Sequence, residues 1–237
     1  MIRTLLALSL LAGLPLSAQA QWQPTAELGV VNTTGNSDTT SVNGKFALSG
    51  EDEAWTHDYY LAALRAESSD ELTANRAEFG AKAARKLGER SYLGGVSRYE
   101  DDDFSAYRYQ ATLAVNYGIE AFKDDKRVLL LEAGPGLRRA SLAESGESEQ
   151  DALLRGFADY QHQVTDSTRL YSTLLVESAQ DNTFVQNDVG IAVSINRSLA
   201  LKAALQARHN TDVPADRERT DTLASVNIVW SPRAQAD

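Results

Sequence analysis

Apolar and polar side chains alternate without interruption over residues 107–119. The apolar series consists of Tyr107, Tyr109, Ala111, Leu113, Val115, Tyr117 and Ile119, and the residues between them are polar or small. A period of two predicts a strand with one apolar and one polar side. Ten such residues tilted by about 40° span roughly 25 Å, the height of the apolar band of a membrane barrel, and tyrosines bracket the stretch like an aromatic girdle. The strand therefore predicts an outer-membrane β-barrel.

The rest of the chain extends this pattern to about twelve strands. Alternation recurs in several segments, whereas 55–67 and 92–100 are ambiguous. The predicted strands lie at residues 26–33, 40–49, 55–67, 73–85, 92–100, 105–120, 127–138, 152–163, 168–177, 183–195, 199–210 and 220–230. The predicted fold class is all-β, a closed antiparallel transmembrane β-barrel.

The connections predict which way the barrel points. Residues 87–90, 165–167 and 196–198 form short turns, whereas residues 139–151 and 211–219 form long connections. Alternating short and long connections are typical of bacterial barrels with periplasmic hairpins and extracellular loops. This asymmetry predicts that both termini lie in the periplasm.

The first twenty residues resemble a secretory leader. Arg3 supplies a positive start, residues 5–16 a short apolar core, and Ala18-Gln19-Ala20 a cleavage site. The predicted organisation is a signal peptide at 1–20, a barrel at 21–230 and a disordered tail at 231–237. No later segment has the 18 apolar residues of a membrane helix, and the chain has no cysteine for a lipid anchor, a disulfide or a thiolate metal site.

The chain is acidic, with a formal net charge of −10, so a nucleic-acid partner has no electrostatic support. Much of the negative charge lies in predicted loops, at residues 101–103 and 144–149. We interpret these loops as solvated turns, with divalent-ion binding at the cell surface as the alternative.

If the apolar sides face lipid, the polar sides line the lumen. The charged lumen residues are then Arg76, Glu78, Lys82, Arg108, Glu132, Arg138, Arg155, Asp159, Arg169, Glu177, Asp188, Lys202, Arg208 and Asp221. Both signs are well represented, so these side chains can pair into a plug or line a narrow channel for small polar solutes. Glu132 stands out because it interrupts a strongly apolar strand.

Two other classes of protein remain as alternatives. Some outer-membrane barrels are lipid hydrolases, and His209 is predicted at the extracellular end of its strand on the outward side. Its expected neighbours include threonines but no serine that could serve as a nucleophile. His57 and His162 are predicted too far away to join it, so we expect no catalytic residue, metal site or cofactor. The third class is a soluble periplasmic barrel, with its apolar sides inside.

One stretch carries a family resemblance. Residues 28–44, with the sequence LGVVNTTGNSDTTSVNG, are followed by YEDDDF at 99–104 and by a closing strand at 223–230. Together they resemble a family of salt-induced outer membrane proteins known as domain of unknown function 481. The resemblance implies a small outer-membrane barrel in contact with lipid, linked to salt or envelope stress, with no established activity.

The C-terminus departs from the usual barrel pattern. Outer-membrane barrels generally end on an aromatic residue that the barrel assembly machinery reads, but seven residues follow Trp230 here. Trp230 can still close the barrel with an indole at the membrane interface.

Overall fold

The computed structural model describes residues 20–33, 39–213 and 218–232, with only the backbone of 31–33. These residues form a closed barrel of twelve antiparallel strands in which each strand pairs with its neighbours in sequence and β1 pairs with β12. The strands are β1 Gln21–Thr33, β2 Thr39–Glu51, β3 Trp55–Ser68, β4 Glu71–Lys86, β5 Ser91–Asp102, β6 Tyr107–Lys123, β7 Arg127–Leu142, β8 Ser148–Gln163, β9 Thr168–Ser178, β10 Thr183–Ser194, β11 Leu199–Asn210 and β12 Thr220–Trp230. The predicted fold class and strand number are confirmed.

The two sides of the wall differ in polarity as membrane barrels require. Large apolar side chains face outward, such as Leu113 at 56% exposure and Leu137 at 65%. Charged side chains that include Arg98, Glu100 and Glu177 are buried on the inner side. Because this arrangement is the reverse of a soluble barrel, it favours insertion in lipid over the soluble alternative.

Nine of the twelve strands are longer than the hydrophobic pattern predicts, and the added residues lie at both ends of the barrel. We call the end where β1 begins and β12 finishes the terminal end, and the other the distal end. At the distal end β7 and β8 continue through most of the predicted long connection and leave only residues 143–147 between them. Asp101 and Asp102, predicted in a loop, belong to β5. The predictions of a long connection at 139–151 and of a loop at Asp101 and Asp102 were wrong, because strand pairing continues where the hydrophobic alternation stops.

β6 contains a bulge that the sequence pattern conceals. Its register with β7 shifts between Tyr107 and Tyr109. The shift turns Tyr107 inward, where it is only 2% exposed, and leaves Arg108 outside. The uninterrupted alternation predicted from Tyr107 onward was therefore wrong at its first two positions, since a bulge reverses the faces that follow it.

Short turns at the terminal end share one hydrogen-bonding scheme. The carboxylate of Asp52 accepts bonds from the N–H groups of Ala54 and Trp55, and Asp124 does the same for Lys126 and Arg127. Such side-chain caps hold a tight reversal of the chain. A further hydrogen bond from the Arg127 guanidinium lowers the pKa of the exposed Asp124 carboxyl.

The seam that closes the barrel is short. Among the described residues, β1 pairs with β12 at four positions, from Ala26 to Gly29, but with β2 along its whole length. On the lumen side the Nδ2 of Asn43 donates to Oδ1 of Asn227 at 3.2 Å, and the two amides lie across Gly29. A side chain at Gly29 would collide with both, so glycine permits this bridge over the seam.

Several expectations concern residues outside the described ranges: most of the leader, the turn at 35–38, the middle of the 211–219 connection and most of the tail. Within the described ranges, no helix has the length and apolarity needed to span a membrane.

Candidate functional site in the barrel lumen

Thirteen of the fourteen predicted lumen residues lie on the inward series of their strands. Nine line one central cavity: Arg76, Glu78, Lys82, Glu132, Arg155, Asp159, Glu177, Asp188 and Lys202. Arg138 and Arg208 are buried nearer the distal end, at 4% and 5% exposure. Arg169 and Asp221 occupy inward positions close to strand ends and are exposed to solvent.

Arg108 is the exception. Its side chain is 60% exposed and lies on the outer side of the wall, 3.7 Å from Asp101 and 3.2 Å from Asp103. The prediction that Arg108 lines the lumen was wrong because the β6 bulge exchanges its orientation with that of Tyr107.

Eight inward charges form a continuous series of alternating sign, which we call the ionic chain. In order of contact its members are Lys82, Glu132, Arg155, Glu177, Arg98, Glu100, Arg208 and Asp102. Four cations face four carboxylates, so the ionic chain is neutral. Mixed signs are the physical requirement for holding so many charges away from water.

The ionic chain crosses the barrel. Arg98 of β5 donates from Nη2 to Oε2 of Glu177 on β9 at 2.8 Å. Glu100 of β5 accepts from Arg208 of β11, and five strands lie between β5 and β11 on either side of the ring of twelve. Side chains from opposite walls therefore meet inside the lumen.

Phe184 completes this crossing near the distal end. Its ring is 1% exposed and lies between the guanidinium groups of Arg98, at 4.8 Å, and Arg208, at 5.2 Å. We call Phe184, Arg98, Glu100, Asp102, Glu177 and Arg208 the cross-lumen layer. The layer is incompletely bonded, because Nε of Arg98, Nε of Arg208 and Oε1 of Glu100 have no hydrogen-bond partner.

Arg138 belongs to a separate cluster at the distal end. It donates to Asp151 at 2.9 Å, approaches Glu149 at 3.4 Å and lies over the ring of Tyr107 at 4.9 Å. This cluster explains why Tyr107 turns inward, since the ring covers a buried guanidinium.

A cavity of about 460 Å³ lies on the terminal side of the cross-lumen layer, and we call it the chamber. Its wall includes seven carboxylates and six cationic side chains, with Tyr60 and Phe157 among the aromatic residues. Its size suits a small solute, and the charged side chains in its wall favour one that carries polar or charged groups.

The centre of the ionic chain was not predicted from the sequence. Arg98, Glu100 and Asp102 are spaced two residues apart on β5, which places them on one face of the strand. The segment was ambiguous because Gly94 and Gly95 remove the apolar alternation before them. The spacing of the three charges was the available signal.

The histidines are scattered among aromatic and hydroxyl groups. Nδ1 of His209 lies 2.8 Å from Oγ1 of Thr220, and His57 stacks against Trp22, Trp55 and Tyr59 on the outer side of the wall. Over the parts of the chain that the structure describes, no three His, Cys, Asp or Glu residues form a group suited to a metal ion.

The fold is similar to that of solved outer-membrane barrels. The COG4313 outer membrane channel from Pseudomonas putida F1 has a TM-score of 0.53 at 14% identity, over 91% of this chain and 96% of that one. The NanC porin has a TM-score of 0.51 at 10% identity, over 88% of this chain and 97% of that one. At these identities the likeness concerns the fold.

The sequence places the chain in a family. No curated protein matches it. A family described as "Protein of unknown function, DUF481" matches residues 26–231, which includes nearly the whole barrel. The chain therefore belongs to the DUF481 family.

Proposed function

We propose that this protein is a narrow outer-membrane pore for small polar solutes, closed by its cross-lumen layer. The observation that carries the proposal is the contact between Arg208 and Glu100, which joins opposite walls above a polar chamber. A barrel that serves only as a structural element has no need of a solute-sized cavity beside such a closure.

The incomplete bonding of the layer supports a closure that can move. Buried polar groups without partners cost roughly 1–3 kcal/mol each. When the layer opens, water can bond to these groups, and this gain offsets part of the free energy lost when the ion pairs separate. The layer also joins strands far apart in the ring, and its side chains can part without breaking any strand pairing.

Bilayer conductance tests the proposal. Glu100→Ala leaves Arg98 and Arg208 facing each other without the carboxylate between them, and repulsion should widen the lumen. We expect larger or more frequent conductance steps than for the unchanged protein. Glu67→Ala, which removes an exposed carboxylate paired with Arg65, is the matched control and should leave the steps unchanged. A folded, inserted Glu100→Ala barrel that never conducts would refute the pore.

Export through the N-terminal leader is part of the same proposal. It is supported by the start of β1 at Gln21, the first residue after the expected cleavage site. N-terminal sequencing of the protein from outer membranes should begin at Gln21. The expected link to salt or envelope stress is tested by measuring the amount of protein in cells grown at low and high salt.

The proposal assigns no enzymatic activity. His209 is bonded to a threonine at the barrel rim, and no carboxylate among the described residues orients its ring, in contrast to the base of a nucleophile–base pair. A phospholipid hydrolysis assay with the purified protein tests this assignment, and turnover lost on His209→Gln would overturn it.

A further inference from the structure

Three tyrosines on the terminal side of the cross-lumen layer share one construction. Each stands directly opposite a glycine on the next strand, and its ring lies so close that a Cβ on the glycine would be 2.0 to 2.5 Å from a ring or hydroxyl atom. The pairs are Tyr60 with Gly80, Tyr92 with Gly118 and Tyr171 with Gly190. Each ring thereby occupies the space that a side chain at the glycine would need.

Every one of these rings already holds a cation. A lysine ammonium lies 4.9 Å from the ring centre of Tyr60, 4.6 Å from that of Tyr92 and 5.0 Å from that of Tyr171. The lysines are Lys45, Lys82 and Lys202 respectively. A cation within about 6 Å of an aromatic face is attracted by the ring quadrupole.

Each tyrosine also presents a carboxylate beside its ring. The hydroxyl of Tyr60 donates to Glu78, that of Tyr92 to Glu132 at 2.6 Å, and that of Tyr171 to Asp188 at 3.2 Å. An aromatic face next to a carboxylate is the combination that recognises alkylammonium groups. The bound lysines show that each of these three tyrosine rings accepts an ammonium group.

The chamber wall has more carboxylates without an ion-pair partner than cations without one. Asp58, Glu78, Asp159 and Asp188 line it without a cationic group within 4.0 Å, whereas only Lys45 and Arg76 among its cations lack a carboxylate at that distance. Asp159 accepts hydrogen bonds from Gln161, and Glu78 and Asp188 bond to neutral partners. These four carboxylates can pair with a positive charge that enters from outside.

We propose that the chamber binds small organic cations of the alkylammonium class. Of the three tyrosines, Tyr60 lines the chamber, so the guest takes the place of the Lys45 ammonium over its ring and pairs with Asp58 or Asp159. The volume of about 460 Å³ is within the range of small-molecule sites. Neutral sugars also stack on aromatic faces, but a cation already lies over both rings that line the chamber, Lys45 over Tyr60 and Arg155 over Phe157. A sugar would have to displace a charge without replacing it.

Calorimetric titration of the detergent-purified protein with choline chloride tests the proposal, with sodium chloride as the blank. The expected result is saturable binding that Asp58→Asn combined with Asp159→Asn weakens at least tenfold. Asp221→Asn removes an exposed carboxylate near the distal end and should leave the affinity unchanged. Tyr60→Leu, which removes the ring that lines the chamber and keeps every carboxylate, should weaken binding several-fold.

Two results would overturn the proposal. One is no saturable binding of choline to protein that shows the heat-modifiable gel mobility of a folded barrel. The other is equal binding of choline and of the neutral sugar glucose, with no effect of the double substitution. Because the titration needs no current across a bilayer, a barrel that fails to conduct can still bind, and the two proposals can fail separately.

Discussion

Arg98 is a central residue of the ionic chain, although it lies in a segment whose hydrophobic pattern was ambiguous. It bonds Glu100 and Glu177 and lies against the ring of Phe184, so it connects three strands of the wall. Removing one partner from a buried ion pair leaves an uncompensated charge, whereas an exposed pair contributes little because water screens it.

This contrast gives a prediction about stability. Arg98→Met should lower the free energy of unfolding by about 3–5 kcal/mol, because Glu100 and Glu177 each lose a cation. Arg65→Met is the matched control: its pair with Glu67 is at the surface, and its loss should change stability by about 0–1 kcal/mol. Urea unfolding in lipid vesicles, followed by tryptophan fluorescence, measures both. Equal losses would mean that the ionic chain adds nothing to stability.

At the scale of the strand, the hydrophobic pattern predicted which strands exist but neither their full length nor their contacts across the lumen. Alternation is strong where one side of a strand meets lipid, as in β6. The alternation is weak at the distal ends of β7 and β8, where both sides of the strand meet polar surroundings. It is also interrupted by the bulge at Tyr107. The partners in the ionic chain depend on the stagger of strands that are distant in sequence, such as β5 and β11, and no local pattern encodes that stagger.

The tyrosine–glycine pairs give a prediction for single strands. Gly118→Ala should destabilise the barrel by about 1–3 kcal/mol, because the new methyl group would displace the ring of Tyr92 and its bond to Glu132. Gly95→Ala on β5 is the control, since a Cβ there meets nothing within 4 Å. Its expected effect is neutral or slightly stabilising, since alanine loses less chain entropy than glycine. Thermal shifts of gel mobility compare the two variants.

For the whole molecule, the prediction concerns orientation. The chain has no cysteine, so a single introduced thiol reports its own location. If the termini are periplasmic, Ser145→Cys in the β7–β8 connection should react with a membrane-impermeant maleimide on intact cells. Glu89→Cys in the β4–β5 turn should react only after the outer membrane is permeabilised. The opposite result would place the termini outside.

The short seam has a mechanical consequence. Ten strands are paired with both neighbours along most of their length, but β1 and β12 meet at only four described positions, with the amides of Asn43 and Asn227 bridging them. Under a pulling force the ring should tear there first and open into a curved twelve-strand sheet before any hairpin unravels. The β1–β12 seam is therefore the expected site of mechanical rupture, and the hydrogen bond between Asn43 and Asn227 is the side-chain contact that must break with it.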